Sequence, residues 1–214
     1  KHLCIVQTFV MHYARLAQEE KVSVYSVGSE LLTMERERDR WVDLIGQVRS
    51  VYRGKLIYSA NWDHFHGVTF WDQLDMVGMT GYFELSKASD PSLDELRSTW
   101  EAALSVIASY SVLTGRPLIL TEVGYPSQVG SAAHPWDYTQ VKTPSPKAQY
   151  MAYRAMYEAW RSWSLTRPKD EPKHLGLSGV FLWSWNGYGG LNDGHYTPRG
   201  KPATAIIQRW YTGR

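Results

Sequence analysis

Apolar residues recur at two kinds of spacing along this chain of 214 residues. Where they return every three or four positions, the pattern predicts amphipathic helices, and short continuous apolar runs bounded by polar residues predict buried strands. The predicted helices are residues 2–20, 35–52, 92–114, 147–165 and 203–211. The predicted strands are residues 22–27, 55–59, 74–79, 117–120 and 177–183.

Two irregular stretches and one helix start carry their own sequence signals. Residues 124–146 mix Gly, Ser and Pro with His, Trp and Tyr ahead of a predicted helix, which is typical of a functional loop. Residues 166–173 form a polar connector that contains proline. Ser92 or Asp90 is the expected N-cap of the helix at 92–114, because either side chain can accept a hydrogen bond from a free backbone N–H.

Predicted strands and helices alternate along the chain, which indicates an α/β fold with a parallel sheet. Periodicity alone does not distinguish an open doubly wound sheet from a barrel. Polar or aromatic residues stand at or after the carboxyl ends of several strands, and in a barrel such positions converge on one pocket. They are Ser29-Glu30, Asn61-Trp62, Tyr82, Thr121-Glu122 and Trp183-Ser184-Trp185. This arrangement favours a TIM-type (β/α)8 barrel.

The number of predicted strands is smaller than a complete barrel requires. A barrel of this type has eight strands in about 250 residues, whereas the 214 residues here supply five predicted strands. We expect residues 1–214 to form a single catalytic domain that contains barrel strands four to eight with their helices. The first three strands then come from a longer chain, from a partner segment or from self-association, unless this is an unusual partial barrel.

Composition narrows the range of partners. The formal net charge is +2 and the basic residues are scattered, so we expect no nucleic-acid partner. No apolar run reaches the roughly 18 residues of a membrane span, so we expect no membrane partner. Cys4 is the only cysteine, which excludes a disulfide within the chain and a cysteine-based zinc site. The cysteine content therefore does not indicate whether the protein works in an oxidising or a reducing compartment.

Many aromatic residues stand next to Gly, Asn, Asp or Pro, which indicates that they lie in loops. Such residues either cover the core or form a platform for a flat apolar ligand face.

Two glutamates at strand ends are the candidate catalytic groups. Glu30 follows Val24-Tyr25-Ser26-Val27-Gly28-Ser29, and Glu122 follows Leu118-Ile119-Leu120-Thr121. Taken alone, each is equally well explained as a solvated strand-end side chain, or, for Glu30, as a charge at a helix N-terminus. Taken together, two strand-end glutamates that face each other across a barrel mouth can supply the two carboxyl groups, about 5–5.5 Å apart, that retaining glycosidases need. One of these groups is ionised and the other is protonated.

Four motifs carry a resemblance to a known group of enzymes. Gly28-Ser29-Glu30, Ser59-Ala60-Asn61-Trp62, Thr121-Glu122-Val123-Gly124-Tyr125 and Trp183-Ser184-Trp185 resemble the (β/α)8 glycosidases with catalytic glutamates on strands four and seven, in particular glycoside hydrolase family 113. The resemblance runs over nearly the whole chain. It implies a retaining endo-β-1,4-mannanase that acts on carbohydrate without a cofactor, with Glu30 as general acid/base and Glu122 as nucleophile.

Further residues are expected to bind the substrate. Tyr82 matches a position at which the resembled enzymes often place a tyrosine that hydrogen-bonds the nucleophile, and an aromatic packing lid is the alternative. Asn61 and Trp62 belong to a polar, aromatic cluster that suits sugar hydroxyls. Tyr125 follows the strand of Glu122 and is expected to adjoin the same pocket.

The last predicted strand carries two aromatic candidates. Trp183 and Trp185 are two positions apart, so on a strand they share one face, where one can form an apolar floor under a sugar ring. A core position for one of them is the alternative. The following Gly187-Tyr188-Gly189-Gly190 segment is interpreted as a turn and not as a phosphate-binding loop, because no Lys-Ser/Thr pair and helix start follow it.

Three other interpretations complete the predictions. Several potential metal ligands lie in loops, but no recognised ligand pattern is present, and no metal site is predicted. These residues are Asp63, His64, His66, His134 and His195. The same two-glutamate mechanism could act on a different β-glycan. From another functional class, the chain could be a carbohydrate-binding barrel fragment without catalytic turnover.

Overall fold

The computed structural model describes residues 2–139, 143–166, 172 and 174–213. In these ranges the α-helices are α1 His2–Glu19, α2 Arg38–Val51, α3 Leu93–Thr114, α4 Pro146–Thr166 and α5 Ala203–Thr212. The strands are β1 Val24–Ser29, β2 Lys55–Ala60, β3 Val77–Thr80, β4 Leu118–Val123 and β5 Leu177–Leu182. Short 3-10 helices at Leu32–Met34, Phe65–Gly67 and Trp71–Gln73 lie in the connections. None of the described helices is both long and apolar enough to cross a membrane.

Every predicted helix and strand is present, with shifted ends. β3 begins three residues later than predicted, because a 3-10 helix precedes it and closes with a hydrogen bond from Leu74 N–H to the Trp71 carbonyl. β5 ends at Leu182, so the predicted strand was one residue too long. The Ser92 hydroxyl accepts a hydrogen bond from Glu95 N–H at 3.2 Å, which confirms Ser92 as the N-cap of α3. Residues 140–142 of the predicted loop, and 167–171 and 173 of the predicted connector, lie outside the described residues.

The strands form one sheet whose spatial order is the order of the chain, β1-β2-β3-β4-β5. β1 pairs with β2, and β2 with β3, in parallel. A doubly wound sheet reverses its strand order at a switch point, whereas neighbouring strands around a barrel follow one another in sequence. The sheet therefore has the strand order of consecutive units of a (β/α)8 barrel, and the predicted α/β fold class is confirmed.

The chain divides into two compact units. The first comprises Lys1–Thr80, Tyr110–Thr121 and His174–Gly179, and the second comprises Gly81–Ser109, Glu122–Lys173 and Val180–Arg214. The assignment of residues 1–214 to a single catalytic domain stays a prediction.

Aromatic rings form the centre of the first unit. Trp41 of α2 stacks on Phe70 with ring centroids 4.6 Å apart, and Tyr58 of β2 meets both rings edge-on. Tyr58 and Phe70 are completely buried. Removal of such large apolar surfaces from water is the main favourable contribution to folding. The packing holds α2 against β2 below the strand end that carries the first candidate glutamate.

A buried polar network fixes the backbone of the second unit after β4. Trp100 Nε1 donates to the Tyr125 hydroxyl at 2.9 Å, and the rings of Tyr125 and Tyr153 pack edge-on. Gln149 is completely buried and donates through Nε2 to the carbonyls of Tyr125 and Tyr196, at 2.9 and 2.8 Å. Because buried polar groups are costly unless they are paired, these bonds specify where the chain runs beyond the second candidate glutamate.

Candidate active site

Glu30 lies directly after β1, where the chain leaves the sheet. Its φ of 52° falls in the left-handed region, which residues other than glycine seldom occupy. The β1–β2 register shifts just before it, between Ser26 and Ser29, and Glu30 N–H donates to the Ser59 carbonyl at 2.8 Å. The Glu30 side chain is exposed. Glu30 thus combines an exposed acidic side chain at the strand end with a left-handed backbone conformation.

Thr80, the last residue of β3, contacts Glu30 and the segment after β2. Its hydroxyl donates to Glu30 Oε1 at 3.1 Å and accepts from Trp62 N–H at 3.3 Å. Thr80 is completely buried. It was missing from the predicted site because the predicted strand stopped at residue 79. A polar residue that ends an otherwise apolar strand is the signal that identifies it.

Asn61 and Trp62 follow β2 directly, and both are partly buried. The structure brings Trp62 to Thr80 through its backbone. Asn61 Oδ1 is buried and has no hydrogen-bond partner within the described ranges. A buried acceptor without a partner is unfavourable unless water or a ligand pairs with it. The part of Asn61 in substrate binding stays a prediction.

Glu122 is the next-to-last residue of β4 and is partly buried. The Tyr82 hydroxyl donates to Glu122 Oε2 at 2.8 Å, and only 8% of the Tyr82 surface is exposed. Gly81 N–H donates to the Glu122 carbonyl at 2.6 Å, which fixes the residue before Tyr82 to the same strand. The hydrogen bond expected of Tyr82 is therefore present, and its part in substrate binding stays a prediction.

Tyr196, in the segment after β5, packs beside the hydrogen-bonded pair Tyr82 and Glu122. Its ring meets the Tyr82 ring edge-on with centroids 6.4 Å apart. Burial raises the pKa of Tyr196, and the nearby charges of Asp137 and, to a smaller extent, Glu122 add to the effect. The Tyr196 hydroxyl donates to the Pro135 carbonyl at 2.8 Å. Tyr196 therefore stays neutral, and no sequence pattern distinguished it from the other loop aromatics.

Trp183 and Trp185 lie beyond the end of β5, with 47% and 58% of their surfaces exposed. The peptide bond between Trp183 and Ser184 is cis. Because β5 has ended, the prediction that both indoles share a strand face is wrong. A Cβ atom on Gly124 would lie 2.1 Å from the Trp183 carbonyl oxygen, so only glycine fits beside this backbone.

Tyr125 differs from the other predicted substrate-binding residues. Its side chain is completely buried, and its hydroxyl accepts the hydrogen bond from Trp100. Burial raises the pKa of Tyr125 well above its usual value. Contrary to the expectation, this phenol offers no surface to a sugar. An aromatic residue that follows an apolar strand is as typical of the hydrophobic core as of a binding site.

The candidate metal ligands have separate contacts. His64 Nδ1 lies 2.6 Å from Asp63 Oδ1, whereas His66 packs against the rings of Phe65 and Tyr110. In the part of the chain that the structure describes, no group of three or more His, Cys, Asp or Glu side chains is arranged to hold a metal ion.

Comparison with protein families places most of this chain within a known family. The family model of Glycoside Hydrolase Family 113 matches residues 5–190, a range that contains both Glu30 and Glu122. A comparison with curated protein sequences gives no significant match.

Solved structures share the fold. A family 113 β-1,4-mannanase, solved as a complex, has a TM-score of 0.82 at 26% identity, and the match covers 99% of this chain and 63% of that chain. The family 113 β-mannanase AaManA from Alicyclobacillus acidocaldarius, in complex with ManMIm, has a TM-score of 0.81 at 26% identity, with 99% and 62% covered. A β-glucuronidase from an uncultured Clostridium species has a TM-score of 0.61 at 17% identity, over 96% of this chain and 36% of that chain, and shows the fold alone.

This chain therefore spans somewhat less than two thirds of the length of the mannanases that it matches. Those mannanases share the TIM-barrel fold with it over 99% of its own length. Since the family match also extends over most of the sequence, from residue 5 to residue 190, the chain belongs to glycoside hydrolase family 113.

Proposed function

We propose that this chain carries the two catalytic carboxyl groups of a retaining glycoside hydrolase that acts on β-1,4-mannan. Membership of family 113 supports a glycosidase, and mannan is the substrate named for the two similar enzymes. In this proposal Glu122 is the nucleophile and Glu30 is the general acid/base. Carboxyl groups and water are sufficient for this chemistry.

The observation that carries the proposal is the position of the two glutamates on their strands. Glu30 follows β1, Glu122 lies at the end of β4, and both fall within the family match. Barrel enzymes build their active sites from residues at the carboxyl ends of several strands. Retaining glycosidases need two carboxyl groups with different protonation states. The two glutamates have different hydrogen-bond partners, Thr80 for Glu30 and Tyr82 for Glu122.

The Tyr82 hydrogen bond suits Glu122 to nucleophilic attack. A hydroxyl that donates to a carboxylate forms a charge-assisted bond, which stabilises the negative charge. The bond also orients Oε2, and a nucleophile held in one direction needs less reorganisation to reach the anomeric carbon. In the first step Glu122 attacks that carbon, the leaving oxygen takes the proton of Glu30, and a covalent glycosyl-enzyme forms.

The surroundings of Glu30 suit a group that gives and then takes a proton. Its side chain is exposed, so it can exchange protons with water, and Thr80 holds Oε1. In the second step Glu30 removes a proton from the water that attacks the anomeric carbon. The bond to Glu122 breaks, and the sugar leaves with its original anomeric configuration. Glu30 ends the cycle protonated, as it began.

Residues outside the two glutamates support a sugar ligand. Trp183 and Trp185 expose large indole faces, on which the apolar face of a pyranose ring can stack. In this proposal Asn61, which directly follows β2 and is partly buried, hydrogen-bonds a sugar hydroxyl. An apolar platform with a few fixed polar groups is the usual composition of a small-ligand site.

The test is the release of reducing sugar from soluble β-1,4-mannan by the parent chain and by three variants. We expect Glu122→Ala and Glu30→Ala to abolish release, and the exposed-residue control Glu20→Ala to retain it. The anomer formed first, followed by proton NMR, reports the stereochemistry, and the β-anomer is expected. Formation of the α-anomer first would contradict the double displacement, and activity on another β-glycan but not on mannan would contradict the substrate.

A second candidate function is sugar binding without turnover. The exposed indoles of Trp183 and Trp185 suit it equally well, because stacking on a sugar ring needs no catalytic carboxyl group. Calorimetric titration with a mannan oligosaccharide separates the two candidates. Binding by a folded parent that releases no reducing sugar from any β-glycan supports the second candidate and rejects catalysis by this chain.

A further inference from the structure

A buried chain of hydrogen bonds lies beside the backbone of Glu30 in the first unit. Leu31, the next residue, donates its backbone N–H to the Tyr58 hydroxyl at 2.8 Å, and that hydroxyl donates to Glu35 Oε1 at 2.8 Å. Tyr58 is 0% exposed and Glu35 is 3% exposed, so the bond between them is shielded from water, and the bond from Leu31 is partly buried. Because a phenol has one proton to donate and Glu35 receives it, the direction of the chain is fixed.

The segment that carries Glu35 is also held in place. The Thr69 hydroxyl donates to the Glu35 carbonyl at 3.1 Å, and Trp41 Nε1 donates to the Met34 carbonyl at 2.9 Å. A carboxylate is seldom buried to this extent, because loss of hydration is costly. Burial of Glu35 therefore has a desolvation cost, and the hydrogen bond from Tyr58 offsets part of it.

The same bonds set the peptide plane that follows Glu30. Glu30 N–H donates to the Ser59 carbonyl at 2.8 Å, and Leu31 N–H donates to Tyr58, so two successive N–H groups are held by neighbouring residues of β2. The left-handed conformation of Glu30 is unfavourable for a residue with a Cβ atom. Such conformations persist where the surrounding contacts determine them.

We propose that Tyr58 and Glu35 are positioning residues for Glu30. By holding Leu31 N–H they keep Glu30 in the left-handed conformation from which its carboxyl group reaches the substrate. Their burial prevents direct contact with a sugar, so they act through the backbone. The inference rests on the proposed role of Glu30 as general acid/base.

The exchange rate of the Leu31 backbone N–H with solvent reports how firmly its hydrogen bond to Tyr58 is held, and this measurement does not require an active enzyme. Tyr58→Phe keeps the buried ring and removes only the hydroxyl, and we expect Leu31 N–H to exchange roughly tenfold faster or more in this variant. Glu35→Gln retains an acceptor for Tyr58, so its exchange rate should lie closer to that of the parent than the rate of Glu35→Ala does. An unchanged exchange rate at Leu31 in Tyr58→Phe overturns the proposal.

Tyr52→Phe is the matched control. Tyr52 is 1% exposed, and its hydroxyl donates to the Val22 carbonyl at 2.7 Å, ahead of the opposite end of β1. This variant also removes one buried phenol hydroxyl from the first unit. Faster exchange at Leu31 in Tyr52→Phe as well would indicate general loosening of the unit and overturn the proposal.

Substrates with different leaving groups distinguish a positioning effect from general damage. Cleavage of a mannan oligosaccharide needs a proton on the leaving oxygen, whereas a dinitrophenyl β-mannoside loses its leaving group without one. We expect Tyr58→Phe to lower kcat/KM for the oligosaccharide by roughly 10- to 100-fold and to change kcat/KM for the aryl mannoside by less than about threefold. Equal losses on both substrates overturn the proposal.

Glu30→Gln separates this inference from the proposed function. If Glu30 is the acid, Glu30→Gln shows the same dependence on leaving group, with a larger loss on the oligosaccharide. If Glu30→Gln shows the dependence and Tyr58→Phe does not, the positioning role is overturned and the proposed function stands. If Glu30→Gln shows no dependence, the acid/base role fails and the positioning inference fails with it.

Discussion

The hydroxyl of Tyr82 donates a 2.8 Å hydrogen bond to Oε2 of Glu122, the next-to-last residue of β4. A hydrogen bond to a charged group contributes about 1.5–3 kcal/mol. We predict that Tyr82→Phe lowers kcat/KM on a mannan oligosaccharide by roughly 10- to 100-fold, because the carboxylate loses both its orientation and the stabilisation of its charge.

The control for this prediction is Tyr157→Phe, which removes the hydroxyl of a partly buried tyrosine on α4 whose ring packs against Trp210. We expect its kcat/KM to match the parent value. Thermal unfolding of both variants checks that the fold is retained. A Tyr82→Phe variant as active as the control would show that the bond has no part in turnover.

The left-handed backbone conformation of Glu30 is expected to lower the stability of the fold. A left-handed conformation costs about 1–2 kcal/mol for a residue with a Cβ atom and almost nothing for glycine. Glu30→Gly and Glu30→Ala lose the same carboxyl group, so we predict that the free energy of unfolding, measured with urea, is about 1 kcal/mol higher for the glycine variant.

The opposite order is expected at Glu101, an exposed residue inside α3. There Glu101→Gly should be about 1 kcal/mol less stable than Glu101→Ala, because glycine weakens a helix interior. Equal stabilities of the two variants at position 30 would mean that its backbone is not under strain.

Lys201 and Asp193 form a buried ion pair in the segment after β5. Lys201 Nζ lies 2.9 Å from Asp193 Oδ2 and also donates to the His195 carbonyl at 3.1 Å, with 0% and 12% of the two charged side chains exposed. We predict that Lys201→Met lowers the free energy of unfolding by about 3 kcal/mol, because Asp193 is left buried without its partner. Lys201→Met combined with Asp193→Asn should recover much of this loss.

The exposed pair Lys147–Asp90 is the matched control. Its atoms are 3.0 Å apart, but 69% and 77% of the side chains are exposed. Lys147→Met should therefore change the free energy of unfolding by less than about 1 kcal/mol. A similar effect at both lysines would argue against a special role for burial at Lys201.

The Lys201 pair also predicts a pH dependence. Burial lowers the pKa of Lys201, and the bond to Asp193 opposes this shift. Between the lowered folded pKa and the usual value of 10.5, the unfolded chain binds more protons than the folded chain, so stability rises with pH. We expect this rise in urea denaturation series, and we expect the double variant to lack it. A rise of the same size in both proteins would assign it to other groups.

Gly124 is expected to tolerate no side chain, because a Cβ atom would lie 2.1 Å from the Trp183 carbonyl oxygen. We predict that Gly124→Ala costs about 1–3 kcal/mol of stability and weakens oligosaccharide binding by displacing the backbone of Trp183. In the control Gly187→Ala, the nearest atom to the new Cβ is 4.0 Å away, so no loss of stability is expected. Denaturation and calorimetric titration measure the two effects.

Periodicity predicted the helices and strands because it reflects which face of each element is buried. It located strand ends less well, since a strand ends where its hydrogen-bond partners end. β4 runs to Val123, three residues beyond the predicted end, because its last carbonyls accept from Gly81 and Trp183. Glu122 thereby became a strand residue, a position that depends on residues far away in sequence.

The sequence by itself determined the alternation of strands and helices, the two strand-end glutamates and the resemblance to family 113, since these are properties of residue order. Only the tertiary structure decided that Thr80 contacts Glu30, that Tyr58 and Glu35 hold the following peptide, and that Tyr125 belongs to the core. Hydrogen bonds between residues tens of positions apart depend on distance and burial in the folded chain, and neither quantity is encoded in local spacing.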